Sequence, residues 1–392
     1  MASPIISTKS LSFSYDGRVK ALDSVNLDIP KGEKTVFLGP NGSGKSTLFL
    51  HFNGVNRPDS GEVYFNGKKI SYDSRSLLTL RSQVALVFQN PDDQIFSATV
   101  EEDIAFGPLN MGLAAEEVEK RVDEALCLVG METLRERPTQ QLSFGQRKRV
   151  ALAGALAMKP KMLLMDEPTA GLDPEMVHEL LELSDELNHK GVTVAISTHD
   201  VETAYEWADG IIVLHQGRHA YSGSPDEFFS RNDIHDFGLT PPMAFLLNEQ
   251  LHWRNGVPEK PHPRTFAELS SKCFPLASKK PGTISLVCVN EQMADLPTKS
   301  KPRHFESKSH LHSGIYGALA RRMAQEGKLD AHYRFHSLEH ALLQASLGND
   351  FVLYTDSSLC SLVEKRAALL EKRSGIQVAI LHPHGDSGKQ PI

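Results

Sequence analysis

Cysteines and long apolar runs are both scarce in this chain. Its four cysteines, Cys127, Cys273, Cys288 and Cys360, include no Cys-x-x-Cys pair, and this pattern favours a reducing cytosol over a disulfide framework. No run of about 18 or more apolar residues occurs, so no transmembrane helix is expected. The first residues lack the basic and apolar regions of a secretion signal, so we do not expect a secreted protein.

Basic residues are scarce in the first part of the chain. Residues 1–239 carry a net charge of -12 and residues 240–392 a net charge of +5. Nucleic-acid binding needs a basic footprint, so the acidic part argues against DNA or RNA as the main partner. The small positive surplus is typical of ordinary solvation. The uneven charge and the length of 392 residues indicate two or three domains.

Residues 39–47 match the phosphate-binding pattern G-x-x-x-x-G-K-[ST]. An apolar run at 35–38 precedes them and predicts a buried strand, and residues 48–52 predict the start of a helix. Glycines let a backbone wrap closely around phosphates, and amides at a helix N-terminus point at an anion. Lys45 is predicted to contact the β- and γ-phosphates, and the Ser46 hydroxyl to bind Mg²⁺. The residues expected to surround the phosphates are Gly39, Pro40, Asn41, Gly42, Ser43, Gly44, Lys45, Ser46 and Thr47.

Polar residues follow three other apolar strands. The strand at 161–165 ends in Asp166 and Glu167, which after a P-loop predicts that Asp166 holds Mg²⁺ and that Glu167 lies near the γ-phosphate. Gln89 and His199 each end a buried strand of their own. Open α/β sheets bind ligands at the carboxyl ends of their strands, so both residues are candidates for the same site.

Several further elements can be predicted from periodicity. Alternation over residues 5–30 predicts antiparallel strands, and Tyr15 on them fits a half-buried strand tyrosine or a platform for a nucleobase. Helices are predicted at 98–107, at 115–130 and at about 147–158, the last with Ser143 as N-cap. The apolar face of the second helix is formed by Val118, Val122, Ala125, Leu126 and Val129.

In this order, these pieces resemble the ATPase subunits of ABC transporters, over about residues 4–238. Tyr15 takes the A-loop position, residues 39–47 are Walker A and Gln89 is the Q-loop. The signature is residues 142–146, and Walker B is residues 163–166, followed by Glu167. The D-loop is residues 170–173, and His199 is the switch histidine. Phe144 replaces the first glycine of the usual Leu-Ser-Gly-Gly-Gln signature. Leu-Ser-Phe-Gly-Gln also occurs in energy-coupling factor (ECF) transporters. Residues 89–96 and 100–108 are similar to their ATPases, notably those of cobalt and nickel importers.

The resemblance implies an α/β P-loop NTPase domain with antiparallel β and helical subdomains, followed by a second, small α/β domain. It implies two ATPase domains paired head to tail around two ATP, with Mg²⁺ held by Ser46, Gln89 and Asp166. Glu167, His199 and Gln89 would be catalytic. Tyr15 and the P-loop would bind the ATP from one side, and the signature and D-loop of the second domain would close the other side. These last residues are Ser143, Gly145, Gln146 and Asp173.

The implied partners are a second ATPase subunit, in a homo- or heterodimer, and two integral membrane subunits, one for coupling and one for substrate binding. The protein would lie peripherally on the cytoplasmic face of the membrane and energise import of cobalt or nickel. The acids Asp92 and Asp93, beside the Q-loop, are expected to receive an arginine from the coupling subunit. Two alternatives stay open: a vitamin-type ECF importer, and a soluble ABC ATPase outside transport.

The last part of the chain is less informative. Residues 240–282 are rich in proline and lysine and predict a connector. Alternating strands and helices over 283–392 predict a small parallel sheet of unknown role. Its strands are expected at 283–289, 332–335, 350–354 and 376–381, and its helices at 314–326, 337–347 and 358–373.

Ten of the seventeen histidines fall after residue 239. His336 and His340 have the i, i+4 spacing that would let two imidazoles on one helix share Ni or Co. Without a nearby Cys or Asp partner in the sequence, surface histidines are the favoured interpretation. The pairs His310/His312 and His382/His384 are similarly suggestive.

Overall fold

A computed structural model describes residues 4–274, 280–290 and 312–382. The chain divides into two compact units. The first comprises Met1–Asp173 and Leu187–Pro242, and the second comprises Pro174–Glu186 and Met243–Ile392. His310 and His384 lie outside the described residues.

The first unit contains two sheets and the helices packed on them. Its strands are β1 (Pro4–Ser14), β2 (Lys20–Pro30), β3 (Lys34–Leu38), β4 (Ser60–Phe65), β5 (Lys68–Lys69), β6 (Val84–Val87), β7 (Met162–Asp166), β8 (Thr193–Thr198), β9 (Gly210–His215) and β10 (Arg218–Gly223). Its helices are α1 (Lys45–Phe52), α2 (Ser74–Gln83), α3 (Val100–Asn110), α4 (Ala115–Val129), α5 (Phe144–Ala157), α7 (Val201–Trp207) and α8 (Pro225–Phe229). Helix α6 (Pro174–His189) follows β7, and its residues 174–186 belong to the second unit.

The larger sheet has six strands in the order β10-β9-β3-β8-β7-β6. Strands β9, β3, β8, β7 and β6 are parallel, and β10 pairs antiparallel with β9. Strands β6, β7 and β8 are buried along their whole length, which is typical of parallel strands covered on both faces. Because the strands are parallel, the segments that follow β3, β6, β7 and β8 all leave the same edge of the sheet.

The smaller sheet is antiparallel, in the order β2-β1-β4-β5, as the alternation over residues 5–30 predicted. Helix α1 packs between the two sheets, where Phe49 and Phe52 share a core with apolar residues of both. Phe37 of β3 contacts both rings, with centroids 5.1 and 6.0 Å away. This core fixes the helix that begins at the end of the phosphate-binding pattern.

Helices α3, α4 and α5 form a separate layer of the first unit. All five residues predicted for the apolar face of α4 are buried. Ser143 is the N-cap of α5, as predicted, and forms a capping box with Gln146. The helix begins at Phe144, three residues earlier than expected, because the box satisfies its first backbone amides.

The second unit contains a parallel sheet in the order β12-β13-β11-β14. Its strands are β11 (Thr283–Val289), β12 (His312–Tyr316), β13 (Phe351–Asp356) and β14 (Ala379–Leu381), and its helices are α9 (Met243–Asn255), α10 (Phe266–Cys273), α11 (Ala318–Gln325), α12 (Ser337–Ser346) and α13 (Cys360–Ser374). The small parallel sheet predicted from the alternation is therefore confirmed.

Three sequence expectations in this unit differ from the structure. Residues 314–316 belong to β12, because the left-handed backbone of Gly317, at φ 107°, separates the strand from α11. Residues 332–335 form no strand; Tyr333 makes an isolated bridge to Gly314. The segment expected as a connector carries α9 and α10, since its prolines lie outside the helices and a capping box starts α10.

The structure also joins Cys288 to Cys360 by a disulfide, against the expectation from cysteine spacing. The two residues are 72 positions apart, and the fold brings β11 and the start of α13 together, which spacing alone cannot reveal. Cys127 and Cys273 are free thiols. No helix in the described ranges is long and apolar enough to cross a bilayer.

Candidate nucleotide-binding and catalytic site

The phosphate-binding pattern forms the loop between β3 and α1. Gly39 has φ 151°, and a Cβ there would lie 2.2 Å from the Leu214 carbonyl oxygen. Gly44 has φ 103°, and its Cβ would lie 2.8 Å from the Ala21 carbonyl oxygen. Both positions therefore require glycine, for conformation and for space.

Lys45 closes over this loop from the first turn of α1. Its side chain is 6% exposed, and its Nζ donates to the carbonyl oxygens of Gly39 at 2.7 Å and Pro40 at 3.3 Å. Ser43 Oγ is buried within the loop without a hydrogen-bond partner in the described part of the chain. Asn41, Gly42 and Ser46 are exposed along the same loop, and Thr47 is buried behind it.

Asp166 and Glu167 follow β7 at the same edge of the sheet. In the register of β7 and β8, Asp166 lies opposite Ser197, and Ser197 Oγ donates a hydrogen bond to Asp166 Oδ1. The Glu167 amide donates to the Ser197 carbonyl oxygen at 3.1 Å and to Ser197 Oγ at 3.0 Å. One serine therefore holds both acidic residues in place.

Glu167 adopts a left-handed backbone conformation at φ 43°. For a residue other than glycine this conformation costs about 1–3 kcal/mol, and such strain concentrates at functional sites. Its side chain is 9% exposed. The turn after β7 is therefore specified by its surroundings, and it directs the Glu167 side chain to a defined place.

Two other predicted residues meet at the Glu167 carboxylate. Lys45 Nζ lies 3.5 Å from Glu167 Oε1, and His199 Nδ1 lies 3.1 Å from Glu167 Oε2. A carboxylate oxygen at this distance can accept a hydrogen bond from an imidazole N–H. His199 is 62% exposed, which leaves its ring open to solvent on the side away from Glu167.

Gln89 and Tyr15 lie on other elements of the same unit. Gln89 is exposed and follows β6, the neighbour of the strand that ends at Asp166. Tyr15 is 65% exposed, and its hydroxyl lies 3.2 Å from Thr47 Oγ1. Its ring packs edge to face against Phe13 at 5.0 Å. Tyr15 thus stands beside the first turn of α1 and is not the half-buried strand tyrosine that its pattern also allowed.

The signature residues lie at the N-terminus of α5. Ser143 Oγ accepts from the Gln146 amide at 3.3 Å, and the Ser143 amide donates to Gln146 Oε1 at 2.9 Å. Gly145 is in the first turn of the helix, and Asp173 is exposed at the end of the D-loop. The side chains of this helix reach the D-loop through Phe144 and Lys148.

Sequence reasoning did not identify Ser197 or Lys148 as parts of this site. A serine in a fully buried strand, next to the strand that ends in two acids, is the available signal for Ser197. For Lys148 the signal is its spacing of four from Phe144, which puts both side chains on one face of a helix.

These features define a P-loop ATP-binding cassette, and comparison with known proteins agrees. The sequence profile of the ABC transporter family matches residues 22–170. An energy-coupling factor transporter ATP-binding protein of Methanocaldococcus jannaschii is 51% identical over 255 residues, which is 65% of this chain and 91% of that protein. A second protein of that description, from Methanospirillum hungatei, is 36% identical over 98% of this chain and 97% of its own length.

Solved structures give the same result. The protein cbiO1 of Clostridium perfringens, described as part of the ABC transporter complex cbiONQ, is 41% identical with a TM-score of 0.55, covering 65% of this chain and 96% of that one. A dimeric bacterial ABC transporter cassette is 32% identical with a TM-score of 0.52, covering 56% and 98%. The chain belongs to the family of energy-coupling factor transporter ATP-binding proteins, which are ABC ATPases.

Proposed function

We propose that this chain is the subunit that binds and hydrolyses ATP in an ECF-type importer and couples hydrolysis to transport. The observation that carries this proposal is the convergence of Lys45 and His199 on the buried Glu167 carboxylate, at the mouth of a loop that only glycines can form. Family membership gives the transport context.

The phosphates of ATP would occupy the loop of residues 39–47, with Tyr15 stacked on the base. Lys45 would turn from the carbonyl oxygens that it now contacts towards the β- and γ-phosphates. Because Lys45 also pairs with Glu167 at 3.5 Å, bound phosphates would compete with that carboxylate for the lysine. Glu167 would then be released to accept a proton from the attacking water.

Ser46, Gln89 and Asp166 are proposed to hold Mg²⁺. A hydroxyl, an amide oxygen and a carboxylate are the hard oxygen donors that this ion prefers, and the Asp166 carboxylate is already fixed by Ser197. The ion would supply charge neutralisation on the transferring phosphoryl group. His199, oriented by Glu167, would contact the γ-phosphate through its exposed side.

A second ATPase subunit would complete the site, as the dimeric cassette described above suggests. The exposed N-cap of α5 supports this, because a helix N-terminus is suited to an anion. Ser143, Gly145 and Gln146 would then contact the ATP held by the partner, and Asp173 would lie at the interface.

A docking surface for the membrane subunits is proposed beside the Q-loop. Phe96, Phe106 and Leu109 are exposed there, and the two phenyl rings are in contact at 4.6 Å. Exposed apolar clusters of this kind favour a protein partner. The chain would lie on the cytoplasmic face of the membrane, attached through this surface.

The transported substrate is proposed to be a cobalt or nickel ion, from the signature and Q-loop pattern of the sequence. Vitamin import is the second candidate. A soluble ATPase acting on nucleic acid is disfavoured by the net charge of -12 over residues 1–239.

The relevant experiment is co-purification of the membrane subunits with the tagged chain, followed by ATP-dependent uptake of cobalt, nickel and vitamins. Co-purification with cation uptake supports the proposal, and an ATPase that recruits no membrane subunit contradicts it.

A further inference from the structure

Lys148 on α5 is a buried cation to which the nucleotide-binding motifs assign no role. Its side chain is 6% exposed. Its Nζ donates to the Pro168 carbonyl oxygen at 2.9 Å and to the Ala170 carbonyl oxygen at 2.6 Å. Burial of an ammonium is unfavourable unless its donors are satisfied, so these two bonds hold the side chain to one place.

The two carbonyl oxygens belong to the turn that begins at Glu167. The Ala170 amide donates to the Glu167 carbonyl oxygen at 3.2 Å, so residues 167–170 form one hydrogen-bonded turn. Lys148 binds two carbonyls of this turn from a single point. It therefore fixes the segment in which Glu167 keeps its left-handed conformation, and with it the direction of the catalytic carboxylate.

Phe144 completes this contact one helical turn earlier on α5. The Lys148 Nζ lies 5.4 Å from the centre of the Phe144 ring, a distance at which an ammonium is attracted to an aromatic face. The same ring lies against the D-loop: a Cβ at Gly171 would be 2.9 Å from Phe144 Cε1. The glycine found at this position in the usual signature could make neither contact.

Electrostatics agree with a tight enclosure. Burial lowers the pKa of Lys148 to about 8, while the nearby Glu167 carboxylate acts in the opposite direction. Lys148 therefore interacts electrostatically with the Glu167 carboxylate, in addition to its hydrogen bonds to the neighbouring backbone.

We propose that Lys148 and Phe144 are positioning residues that link the signature helix to the turn carrying Glu167. Contact of the signature with ATP in the partner subunit would then be transmitted, through α5, to the catalytic carboxylate of the same chain. This inference rests on the proposed function and assigns it a specific route between two ATP sites.

The test is steady-state ATPase kinetics of the full-length chain, with ATP affinity measured separately by equilibrium binding. For Lys148→Met we expect kcat to fall about tenfold or more with KM for ATP within about twofold, because a small displacement of a catalytic group lowers turnover without weakening binding. Lys148→Arg keeps the donors and should recover part of the rate. Arg149→Met is the matched control, since Arg149 donates to the Val129 carbonyl oxygen, away from the D-loop.

Phe144→Gly supplies a second, independent variant if Lys148→Met does not fold. It should lower kcat at unchanged ATP affinity, and the double variant should lose less than the product of the two single effects, because contacting residues couple. The proposal is overturned if kcat of a folded Lys148→Met or Phe144→Gly chain matches wild type, if Arg149→Met loses as much, or if the two effects multiply independently. A wild-type chain that shows no ATPase activity even when assembled with its partner ATPase subunit would instead refute the proposed function itself.

Discussion

The Nζ of Lys45 lies 3.5 Å from Oε1 of Glu167, and both side chains are less than a tenth exposed. The lysine proposed to hold phosphate and the acid proposed to take a proton from water thus form one buried ion pair. Each is partly neutralised by the other, so changing either residue also changes the environment of its partner.

Glu167→Gln is expected to retain ATP binding and to lower turnover by about 10²–10⁴-fold, because the amide keeps the shape and loses the base. Removing the negative charge beside Lys45 should leave ATP affinity equal or higher. ATPase rate and equilibrium ATP binding check both statements. Glu124→Gln, which changes an exposed acid of α4 paired with Lys159, is the control. Turnover at the wild-type rate in Glu167→Gln would show that another group is the base.

Tyr15→Ala is expected to weaken ATP binding by about tenfold or more, since stacking of a base on an aromatic ring contributes roughly 1–3 kcal/mol. Tyr15→Phe removes the hydroxyl near Thr47 and keeps the ring, so its affinity should stay close to wild type. Binding of ATP is compared with binding of inorganic triphosphate, which has no base. An equal loss for both ligands would argue against stacking.

The acids beside the Q-loop are not equivalent. Asp92 Oδ1 lies 2.7 Å from Nε of Arg147, on α5 of the same chain. The sequence predicted instead that Asp92 and Asp93 together receive an arginine from the coupling subunit. Asp93 is exposed. Asp93→Ala is therefore expected to reduce co-purification of the coupling subunit more than Asp92→Ala does, with Glu119→Ala on α4 as the control. Undiminished recovery of that subunit in the Asp92→Ala/Asp93→Ala double variant would end the idea.

Acid pH is expected to destabilise the second unit through His336. Burial, and then the adjacent His178 ring at 4.1 Å, lower the pKa of His336 to about 4. Between about pH 6.5, the ordinary histidine value, and pH 4, the unfolded chain binds a proton that the folded chain excludes. Stability therefore falls as pH decreases through this window.

Glu182, in the same unit, acts in the opposite sense. Burial raises its pKa to about 7 despite Arg321, so the folded chain keeps a proton that the unfolded chain releases, and lower pH favours the folded state.

The His336 contribution is isolated by comparing wild type with His336→Asn, which tolerates the left-handed conformation at φ 53°. Denaturant unfolding between pH 4 and 7.5 should show a smaller acid loss for the variant, with the exposed His252→Asn as control. Parallel pH profiles for wild type and His336→Asn would contradict the prediction.

The rings of His336 and His340 lie 5.6 Å apart in the second unit, and each also stacks on another ring. His336 packs on His178, and Tyr333 stacks on His340 at 4.2 Å. Across the described ranges no group of three or more His, Cys, Asp or Glu side chains could hold a metal. The sequence favoured surface histidines, whereas the His336 side chain is only partly exposed.

Local patterns were sufficient to predict most elements of the first unit. The face of α4 follows from a period of 3.6 residues, the strands around the site follow from short apolar runs, and the phosphate-binding loop follows from fixed glycines. Each of these signals lies within about ten to fifteen consecutive residues, where sequence patterns are most informative. The capping box at Ser143 and Gln146 is local in the same way.

Contacts between distant residues could not be predicted in this manner. Ser197 on β8 donates a hydrogen bond to Asp166 on the adjacent strand β7. The burial of Lys148 depends on carbonyl oxygens about twenty residues further along the chain. The misplaced helix at 314–326 has a related cause, because β12 owes its identity to pairing with β13. Gly317 was the local sign of that break.

The capping box at the start of α5 restricts what position 143 can be. The Ser143 oxygen receives the Gln146 amide, yet a hydroxyl still has a hydrogen of its own to give. One small side chain can therefore keep the helix end intact and donate to a nucleotide of a neighbouring subunit at the same time. An aspartate would cap the helix equally well but would present negative charge to a triphosphate, so the proposed dimer needs a residue at this position that both accepts and donates.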